Sequence, residues 1–534
     1  GGIIPPSTIL IAGTAGTGRT ILGIQSLCAA AKQGESVLYI PITYKSSEAV
    51  REKLSRFVFF EETVQIHALD RGTAERDPLS LLVDISNLAA KHNPDRVLID
   101  TVTPLGYSFP VAEQRRFTYS LATTIAEWNA IVYLTSTMLR EEIHRHVISD
   151  LVDGIIYLWQ EASRFKTKRH IEILKTSGLQ YLEGEHMFEI TVNGVTVYPM
   201  FKPAVMPFSG NLGRIKTNIP DFDNMLGGGM VERSSTLIGG SAGTGKTTFS
   251  LHFIVEGARN GEPGIIVSFE ETPDELIQYA ANFGWDLREL EQKDLLRIIY
   301  AAPSEIYPNK HTLEIKNMIE QIGAKRIVVD GISEFDCAFE NPVEMREHIL
   351  TLIRLFKNKG LTSILTSETS DITGDIRISD ITVSFIMDTV ILLRHVEINS
   401  QMKKAFLVLK MRGSDHDKSL REYEITSQGI KLGKSFTEYT GILTGSAKQK
   451  TEVAYEPYLA GFNVDMRGVM DALIDKKKAT IDELLEVTKF NETKLREILS
   501  NLIGLGFVIS STCDGVEQYR IVLTDVKQDI ACGC

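Results

Sequence analysis

The chain has 534 residues, 43% of them hydrophobic and 24% charged, and since this length exceeds what one hydrophobic core usually supports, we expect about three domains. The formal net charge of -12 argues against broad, nonspecific binding of nucleic acid or of acidic membranes. No uninterrupted apolar run approaches the roughly 18 residues of a transmembrane helix, and the few cysteines fit a reduced, cytoplasmic setting.

The most informative feature is an internal repeat. Residues 1–20, GGIIPPSTILIAGTAGTGRT, align without a gap with residues 228–247, GGMVERSSTLIGGSAGTGKT. The match continues, because Asp100 in RVLID pairs with Asp330 in RIVVD and Thr135 pairs with Thr366. Short β-branched runs alternate with helical patterns in both copies, which is typical of a mostly parallel sheet flanked by helices. The sequence therefore predicts an α/β fold with two tandem copies of one domain.

The repeat and the changes of composition predict the domain boundaries. Copy one begins at the equivalent of Gly228, so we expect a segment equivalent to 214–229 to precede it. The expected segments are copy one over 1–202, copy two over 203–445, a linker over 446–465, a small helical module over 466–524 and a tail over 525–534.

Copy one opens with a glycine-rich loop that departs at one position from the phosphate-binding pattern G-x-x-x-x-G-K-[ST]. Gly13, Gly18 and Thr20 fit the pattern, but Arg19 stands in place of the lysine. A planar guanidinium does not replace a compact ammonium. Because Asp100 remains, nucleotide binding without turnover is one interpretation, and a purely structural domain is the other.

Copy two carries the complete pattern between a strand (236–239) and an apolar helix (248–258), which is the context that the motif requires. Lys246 is expected to reach the β- and γ-phosphates, while Thr247 and Asp330 are expected to hold Mg²⁺. An incidental glycine turn is the alternative. The predicted nucleotide-binding residues are Gly240, Ser241, Ala242, Gly243, Thr244, Gly245, Lys246, Thr247 and Thr248.

Two adjacent carboxylates, Glu270 and Glu271, follow the next predicted strand of copy two. At this position one of them could orient and deprotonate an attacking water or hydroxyl. The alternative is a pair of charges at the start of a helix. Copy one has Thr43 and Tyr44 at the equivalent positions, so it lacks any such base.

A later strand, AFLVLKMRG, places Lys410 and Arg412 on one side, because side chains two residues apart share a face of a strand. Two cations presented together suit a γ-phosphate, including one held by a neighbouring subunit. A solvated strand end is the simpler interpretation of the spacing alone. Copy one reads Lys175-Thr176-Ser177-Gly178 here and lacks the arginine.

The segment 466–524 changes character, with three helical patterns followed by two apolar runs around Asp514-Gly515, a hairpin signal. This order resembles a winged helix-turn-helix domain. Its Lys494 and Arg496 lie on the candidate recognition helix, but acidic residues balance the basic ones across the module, which is unfavourable for holding phosphates. A protein contact and a weak DNA contact both remain open.

Together, these residues resemble the KaiC family within the RecA-like ATPases. The resemblance covers nearly all of 1–445 and is most specific in copy two, at GSAGTGKTT, VSFEETPDEL, RIVVDGIS and VLKMRGSDHDKSLREYEIT. It implies a homo-hexameric ring with ATP and Mg²⁺ between subunits. It also implies that Glu270 and Glu271 are catalytic and that Lys410 and Arg412 reach the γ-phosphate across the subunit interface.

Some members of that family phosphorylate their own second domain on a Ser/Thr cluster just before the DT-I-I-L-L strand. Ser379 and Ser384 occupy hydroxyl positions of this cluster, but the third position is Phe385. A single phosphoserine at Ser384 is therefore one expectation, and serines that merely cap or pack are the other.

The sequence thus predicts a cytoplasmic, ring-forming ATPase of the KaiC type, which acts in signalling with a protein partner that the sequence does not identify and without a membrane. A DNA-associated RecA-like ATPase or transcription regulator that uses 466–524 is the alternative, and acidic residues after the strand SILTS count against DNA in the ring centre. A nucleotide-sensing scaffold with negligible turnover is a third interpretation.

Overall fold

The computed structural model describes residues 2–103, 110–162, 167–201, 203–204, 210–339, 341–369, 383–398, 400–440, 442, 448–449, 462–513 and 516–522. Two compact units are present, one of Gly1–Thr437 with Gly441–Ala447, and one of Glu438–Thr440 with Lys448–Cys534. In the described ranges, no helix combines the length and the apolar character that crossing a bilayer requires.

Copy one of the repeat forms a single sheet. Its strands are β1 (Ser7–Gly13), β2 (Val37–Thr43), β3 (Gln65–Ile66), β4 (Leu69–Asp70), β5 (Arg96–Asp100), β6 (Ile131–Thr137), β7 (Gly154–Ala162), β8 (Thr167–Thr176), β9 (His186–Thr191) and β10 (Gly194–Tyr198). Its helices are α1 (Arg19–Ala31), α2 (Ser47–Leu54), α3 (Arg71–Arg76), α4 (Pro78–His92), α5 (Val111–Ala126), α6 (Arg140–Ile143) and α7 (Ile148–Leu151). The strand order is β10-β9-β8-β7-β1-β6-β5-β2-β3, with β4 beside β2. The strands from β7 to β3 pair in parallel, and β8 to β10 add antiparallel pairs.

Copy two repeats this architecture. Its strands are β11 (Arg214–Ile215), β12 (Met230–Val231), β13 (Ser235–Gly240), β14 (Gly264–Ser268), β15 (Leu296–Tyr300), β16 (Arg326–Asp330), β17 (Thr362–Glu368), β18 (Thr389–Ile398), β19 (Gln401–Met411), β20 (Arg421–Thr426) and β21 (Gly429–Ser435). Its α-helices are α8 (Pro220–Met225), α9 (Lys246–Arg259), α10 (Pro273–Ala281), α11 (Leu287–Gln292), α12 (Pro308–Ile322) and α13 (Pro342–Asn358), and 3₁₀ helices occupy Pro303–Glu305 and Ile332–Cys337. The main sheet has the order β15-β14-β16-β17-β13-β18-β19-β20-β21.

The central strand β13 shows why helices cover both faces of this sheet. Successive side chains of a strand point to opposite faces, so Leu237 packs in the cluster that contains Ile349 of α13, whereas Ile238 packs in the cluster that contains Phe249 of α9. Full burial of one such side chain contributes about 1.5–3 kcal/mol. A strand that is apolar on both faces is therefore stable only between two helical layers.

The two copies also share their strand register. Pro41 of β2 lies opposite Asp100 of β5, and Ser268 of β14 lies opposite Asp330 of β16. The tandem, mostly parallel α/β sheets predicted from the sequence are confirmed. Equal register means that positions 227 residues apart on β2 and β14 occupy equivalent places in the two sheets.

The second unit contains a short strand pair and a small helical module. Its elements are β22 (Tyr439–Thr440), β23 (Lys448–Gln449), α14 (Val464–Lys476), β24 (Ala479–Thr480), α15 (Ile481–Thr488), α16 (Glu492–Gly504), β25 (Val508–Cys513) and β26 (Val516–Ile521). The strands β24, β26 and β25 form one antiparallel sheet. The described residues thus contain the three helices and the two hairpin strands that the pattern predicts.

In copy two, His252 joins α9 to the far edge of the sheet. Its buried ring packs edge-on to Trp285, with ring centroids 4.6 Å apart. Its Nε2 accepts a hydrogen bond from the backbone N–H of Ile430 at 2.9 Å. Burial, with a smaller contribution from Arg259, lowers the pKa of His252 to about 4. The neutral ring is therefore part of the folded core.

We expect His252 to make the fold sensitive to acid. Because its folded-state pKa lies below the value of about 6.5 in an unfolded chain, protonation favours unfolding, and this contribution to stability is lost as the pH falls from about 6.5 towards 4. His252→Gln keeps a hydrogen-bond acceptor that does not titrate. The Tm of the wild type, followed by circular dichroism, should therefore fall more steeply over this window than the Tm of His252→Gln. Exposed His144→Gln is the control, and parallel curves for wild type and His252→Gln would contradict this role.

Candidate functional site

The loop between β13 and α9 has a shape that only glycine permits at several positions. Gly243 and Gly245 have φ angles of 74° and 94°, in the left-handed region that strains other residues. A Cβ on Gly240 would lie 2.8 Å from the carbonyl oxygen of Leu393. The loop therefore curls closely around the N-terminus of α9, where unpaired backbone N–H groups form a site for anions.

Side chains from the antiparallel part of the sheet brace this loop. The ammonium of Lys404 donates to the carbonyl of Gly243 at 2.7 Å, and the Tyr423 hydroxyl donates to the carbonyl of Thr244. Buried Lys246 donates to the carbonyl of Gly240 at 3.0 Å. Sequence reasoning missed Lys404 and Tyr423 as loop contacts, because both lie more than 150 residues from the loop.

Asp330 ends β16 beside the loop and accepts two hydroxyl groups. The Thr247 hydroxyl donates to its Oδ2 at 2.9 Å, and the Thr366 hydroxyl donates to its Oδ1. Thr366 was visible in the sequence only as a repeat match to Thr135. A carboxylate and a hydroxyl oxygen are the donors that Mg²⁺ favours, so this pair fits the predicted metal position.

Glu270 and Glu271 follow β14 at the same edge of the sheet. The backbone N–H of Glu271 donates to Ser268 Oγ at 3.1 Å, and this bond holds the backbone of the acidic pair close to the end of β14. Gly331 provides the space for Glu270, because a Cβ there would lie 2.3 Å from Glu270 Oε1. Copy one has the larger Thr101 at the position of Gly331, and it has no carboxylate to accommodate.

The surroundings of the acidic pair favour the protonated form. Burial, followed by the negative charges of Asp330 and Glu270, raises the pKa of Glu271 to about 7. Burial and Asp330 act in the same direction on the pKa of Glu270, whose side chain is more exposed. A carboxylate with a pKa near neutrality suits proton transfer.

Two buried polar atoms of this site have no hydrogen-bond partner among the described residues, namely Ser241 Oγ in the loop and Glu271 Oε2. An unpaired buried polar group costs about 1–3 kcal/mol. Natural folds contain few such atoms away from functional positions. The arrangement therefore fits a site that a polar ligand completes.

Copy one keeps the shape of the loop without the acidic pair. Gly16 and Gly18 have φ angles of 80° and 99°. The Thr17 hydroxyl donates to the carbonyl of Thr14 at 2.8 Å, as Thr244 donates to Ser241 in copy two at the same distance. The loss in copy one therefore lies in its side chains rather than in its backbone.

Lys410 and Arg412 meet on one short segment, the Ser384–Met387 turn. Lys410 Nζ donates to the carbonyls of Ser384 and Met387 at 3.1 and 2.9 Å, and Arg412 Nη2 donates to the carbonyl of Phe385 at 2.6 Å. Lys410 lies on β19, and Arg412 follows Met411, the last residue of that strand. Ser379 lies outside the described residues. Within one chain these cations hold the turn that carries Ser384.

The basic residues of α16 are paired with acids of their own unit. Lys494 Nζ lies 2.7 Å from Asp465, and Arg496 lies 2.8 Å from Glu492 and 3.9 Å from Glu517. These exposed pairs add little stability. They do, however, neutralise the two cations that the sequence singled out as candidate contacts to nucleic acid.

Comparison with known proteins gives consistent matches. The model of the KaiC ATPase family matches residues 1–202 and 215–436. The circadian clock oscillator protein KaiC of Parathermosynechococcus lividus is 30% identical over 504 residues, which cover 90% of each chain. The circadian clock protein KaiC3 of Synechocystis sp. is 29% identical over 464 residues, which cover 84% of this chain and 91% of the relative.

The asymmetry of the two loops predicts unequal roles in ATP hydrolysis. Lys246→Ala should lower turnover by about 100-fold or more, as does the loss of one positioned charge-stabilising group in other enzymes. Arg19→Ala should retain most of the turnover, because copy one has no equivalent of Glu270 and Glu271. Phosphate release at saturating ATP measures both, and exposed Lys325→Ala is the control. Loss of most turnover in Arg19→Ala would refute this division.

Proposed function

The chain belongs to the KaiC family of ATPases, and on that premise we propose that it hydrolyses ATP in copy two, as a ring-forming signalling protein of the cytoplasm. The observation that carries the proposal is the convergence of a complete phosphate loop, Asp330 and an acidic pair at one edge of the sheet. In a parallel sheet the carboxyl ends of the strands meet at such an edge, where ligands bind.

In the proposed reaction, the backbone N–H groups of the loop and Lys246 hold the β- and γ-phosphates. A water oxygen bonds to the γ-phosphorus while the bond to the β–γ bridging oxygen breaks, which yields ADP and phosphate. Glu271 or Glu270 orients this water and accepts its proton. The raised pKa of Glu271 supports this role, because the protonated product is then stable near neutral pH.

Thr247 and Asp330 are the residues proposed to hold Mg²⁺. When bound, the ion neutralises charge on the phosphate oxygens. The contribution of the chain is to fix the two oxygen donors, and the 2.9 Å hydrogen bond between them does so. Asp330 is only 2% exposed, so its position is set by packing within the sheet.

A homo-hexameric ring is the proposed assembly, with Lys410 and Arg412 acting at a neighbour's γ-phosphate. Arg412 is exposed and makes its bond to the Phe385 carbonyl at a strand end. Lys175 of copy one bonds the equivalent segment, the short helix α7, through the carbonyl of Ser149 at 2.9 Å, although copy one lacks the acidic pair. We therefore assign Lys410 a structural contribution as well, and Arg412 is the sharper test of action across an interface.

A second proposed activity is autophosphorylation of Ser384. Its half-buried side chain stands on the turn that Lys410 and Arg412 contact. If those cations face a neighbour's nucleotide, the turn that carries Ser384 lies beside that nucleotide, and a carboxylate could take the proton of the serine hydroxyl as readily as that of water. Phe385, 53% exposed, has no hydroxyl. The pair 384–385 therefore offers a single acceptor.

For the C-terminal module we propose contact with a signalling protein rather than with DNA. The pairing of Lys494 and Arg496 with carboxylates supports this choice, because each pair would have to break before a phosphate could be held. The DNA-associated regulator remains the alternative that gel-shift binding, with and without residues 446–534, distinguishes.

Action of Arg412 across a subunit interface predicts complementation between inactive variants. Chains with Arg412→Ala supply an intact acidic pair, and chains with Glu270→Gln/Glu271→Gln supply an intact arginine. In rings shown to exchange subunits, an equal mixture should recover up to about a quarter of wild-type turnover, since that share of head-to-tail interfaces would be complete after random mixing. Each parent alone is the control. A mixture as inactive as its parents argues against a shared site.

Autophosphorylation predicts a single phosphate on the Ser384 turn. After incubation with Mg-ATP, phosphopeptide mapping over 376–394 should find at most one phosphate on the pair 384–385. It should be absent from Ser384→Ala and from Lys246→Ala. The phosphate adds about -2 charge near Asp388, which should loosen the local interface by repulsion. Protein that hydrolyses ATP yet carries no phosphate in this peptide is a plain ATPase.

A further inference from the structure

In copy one, the aspartate equivalent to Asp330 accepts hydrogen bonds from three hydroxyl groups. Asp100 Oδ2 accepts from Thr20 at 2.9 Å and from the Tyr39 phenol at 3.0 Å, and its Oδ1 accepts from Thr135. Tyr39 is 3% exposed. Both lone pairs of Oδ2 are thus occupied by donors of the chain itself.

Copy two has a different residue at the position of Tyr39. The shared register makes Ile266 of β14 the equivalent of Tyr39, and its side chain has no hydrogen-bonding atom. Among the described side chains, Asp330 Oδ2 accepts only from Thr247. One lone pair of this oxygen therefore remains for a hydrated cation in copy two, whereas the phenol takes the same position in copy one.

Tyr39 is a permanent donor in this position. Burial and then the charge of Asp100 raise the pKa of the phenol well above its usual value, so it keeps its proton at any working pH. Removing the phenol from Asp100 would leave a buried hydroxyl unpaired, at a cost of about 1–3 kcal/mol. Mg²⁺ demands near-ideal oxygen geometry and dehydrates reluctantly. The donor set of copy one therefore does not fit this ion.

The charged groups of the two sites also favour a cation in copy two rather than in copy one. Copy two sets Lys246 against three carboxyl groups, those of Asp330, Glu270 and Glu271, so acidic groups outnumber basic ones and a bound cation would offset them. At the equivalent positions, copy one sets Arg19 against Asp100 alone, since Thr43 and Tyr44 are neutral. Copy one therefore has no excess negative charge for a divalent ion to neutralise.

Arg19 offers a donor for an anion. Its Nη2 donates to Thr137 Oγ1 at 2.9 Å, while its Nη1 is buried without a hydrogen-bond partner among the described residues. A guanidinium binds phosphate through two parallel N–H groups. The loop that precedes it has the same glycine-dependent shape as the loop of copy two.

We propose that copy one binds a nucleoside polyphosphate without a divalent cation, with Arg19 as the phosphate ligand and Tyr39 closing the metal position on Asp100. This inference goes beyond the proposed ATPase activity of copy two and does not depend on it. It concerns binding alone, and no group transfer is involved.

The first experiment counts bound ADP per full-length chain by equilibrium dialysis with excess EDTA. Wild type should bind about one ADP, and the exposed-site control Lys325→Ala should bind the same amount. Arg19→Ala should bind at least about tenfold more weakly, as expected for loss of a charge-assisted hydrogen bond. No ADP bound in EDTA, or binding lost in Lys246→Ala but kept in Arg19→Ala, would overturn the proposal. Hydrolysis by copy two does not enter this measurement, so failure of the proposed ATPase would show separately in phosphate release.

The second experiment counts Mn²⁺ bound with ADP by electron paramagnetic resonance. Wild type should bind one Mn²⁺ per chain, and Asp330→Asn should bind none. Tyr39→Phe should gain a second Mn²⁺. Tyr133→Phe is the matched control, because it also loses a buried phenol, one that accepts from Ser26 Oγ at 2.7 Å and does not contact Asp100. Two Mn²⁺ per wild-type chain, or no gain in a folded Tyr39→Phe chain, would overturn the role given to Tyr39.

Discussion

The hydrogen bond between a loop threonine and a strand-end aspartate is the constraint on which both sites depend. This bond joins Thr247 to Asp330 in copy two and Thr20 to Asp100 in copy one. It ties the start of the helix after the loop to a strand two places from the strand that precedes the loop. Parallel pairing brings these carboxyl ends to one edge. Once this bond is fixed, the glycine loop, the acidic pair and the antiparallel strands acquire definite positions around one small volume.

The two copies differ in the residues that surround this hydrogen bond. In copy two, Gly331 leaves room for Glu270, whereas copy one has Thr101 and Thr43 at the equivalent positions. In the same strand, Tyr39 replaces an isoleucine and donates to Asp100. These substitutions alter charge and hydrogen bonding but leave strand order and register intact. A fold can therefore keep a phosphate loop while the chemistry around it is lost, because backbone shape and side-chain chemistry are separate requirements.

The Ser384–Met387 turn carries the bonds that Lys410 and Arg412, the cations proposed to act across a subunit interface, make within the chain. Its carbonyls hold Lys410 and Arg412 in place within one chain, so the proposed contact of Arg412 with a neighbour's phosphate would be made by a side chain that is already bonded to the turn. Charge-assisted bonds to a carbonyl contribute about 1.5–3 kcal/mol, which is large enough for nucleotide and turn to influence each other. The position of Ser384 is thus coupled to the cations rather than independent of them.

The sequence alone determined the α/β class, the repeat, the KaiC family and the list of loop residues, because these depend on local pattern and on fixed spacing. Asp330 was predicted as well, because the repeat aligned it with Asp100, and the acidic pair was predicted from its position at the end of the strand after the phosphate loop. The tertiary structure alone decided which distant groups complete each site. Lys404 and Tyr423 brace a loop more than 150 residues away. Tyr39 donates to Asp100 Oδ2 in copy one, whereas Ile266 in copy two has no group that could donate to Asp330 Oδ2. Strand order and register determine these contacts, and no short-range pattern in a single sequence encodes which strand lies beside which.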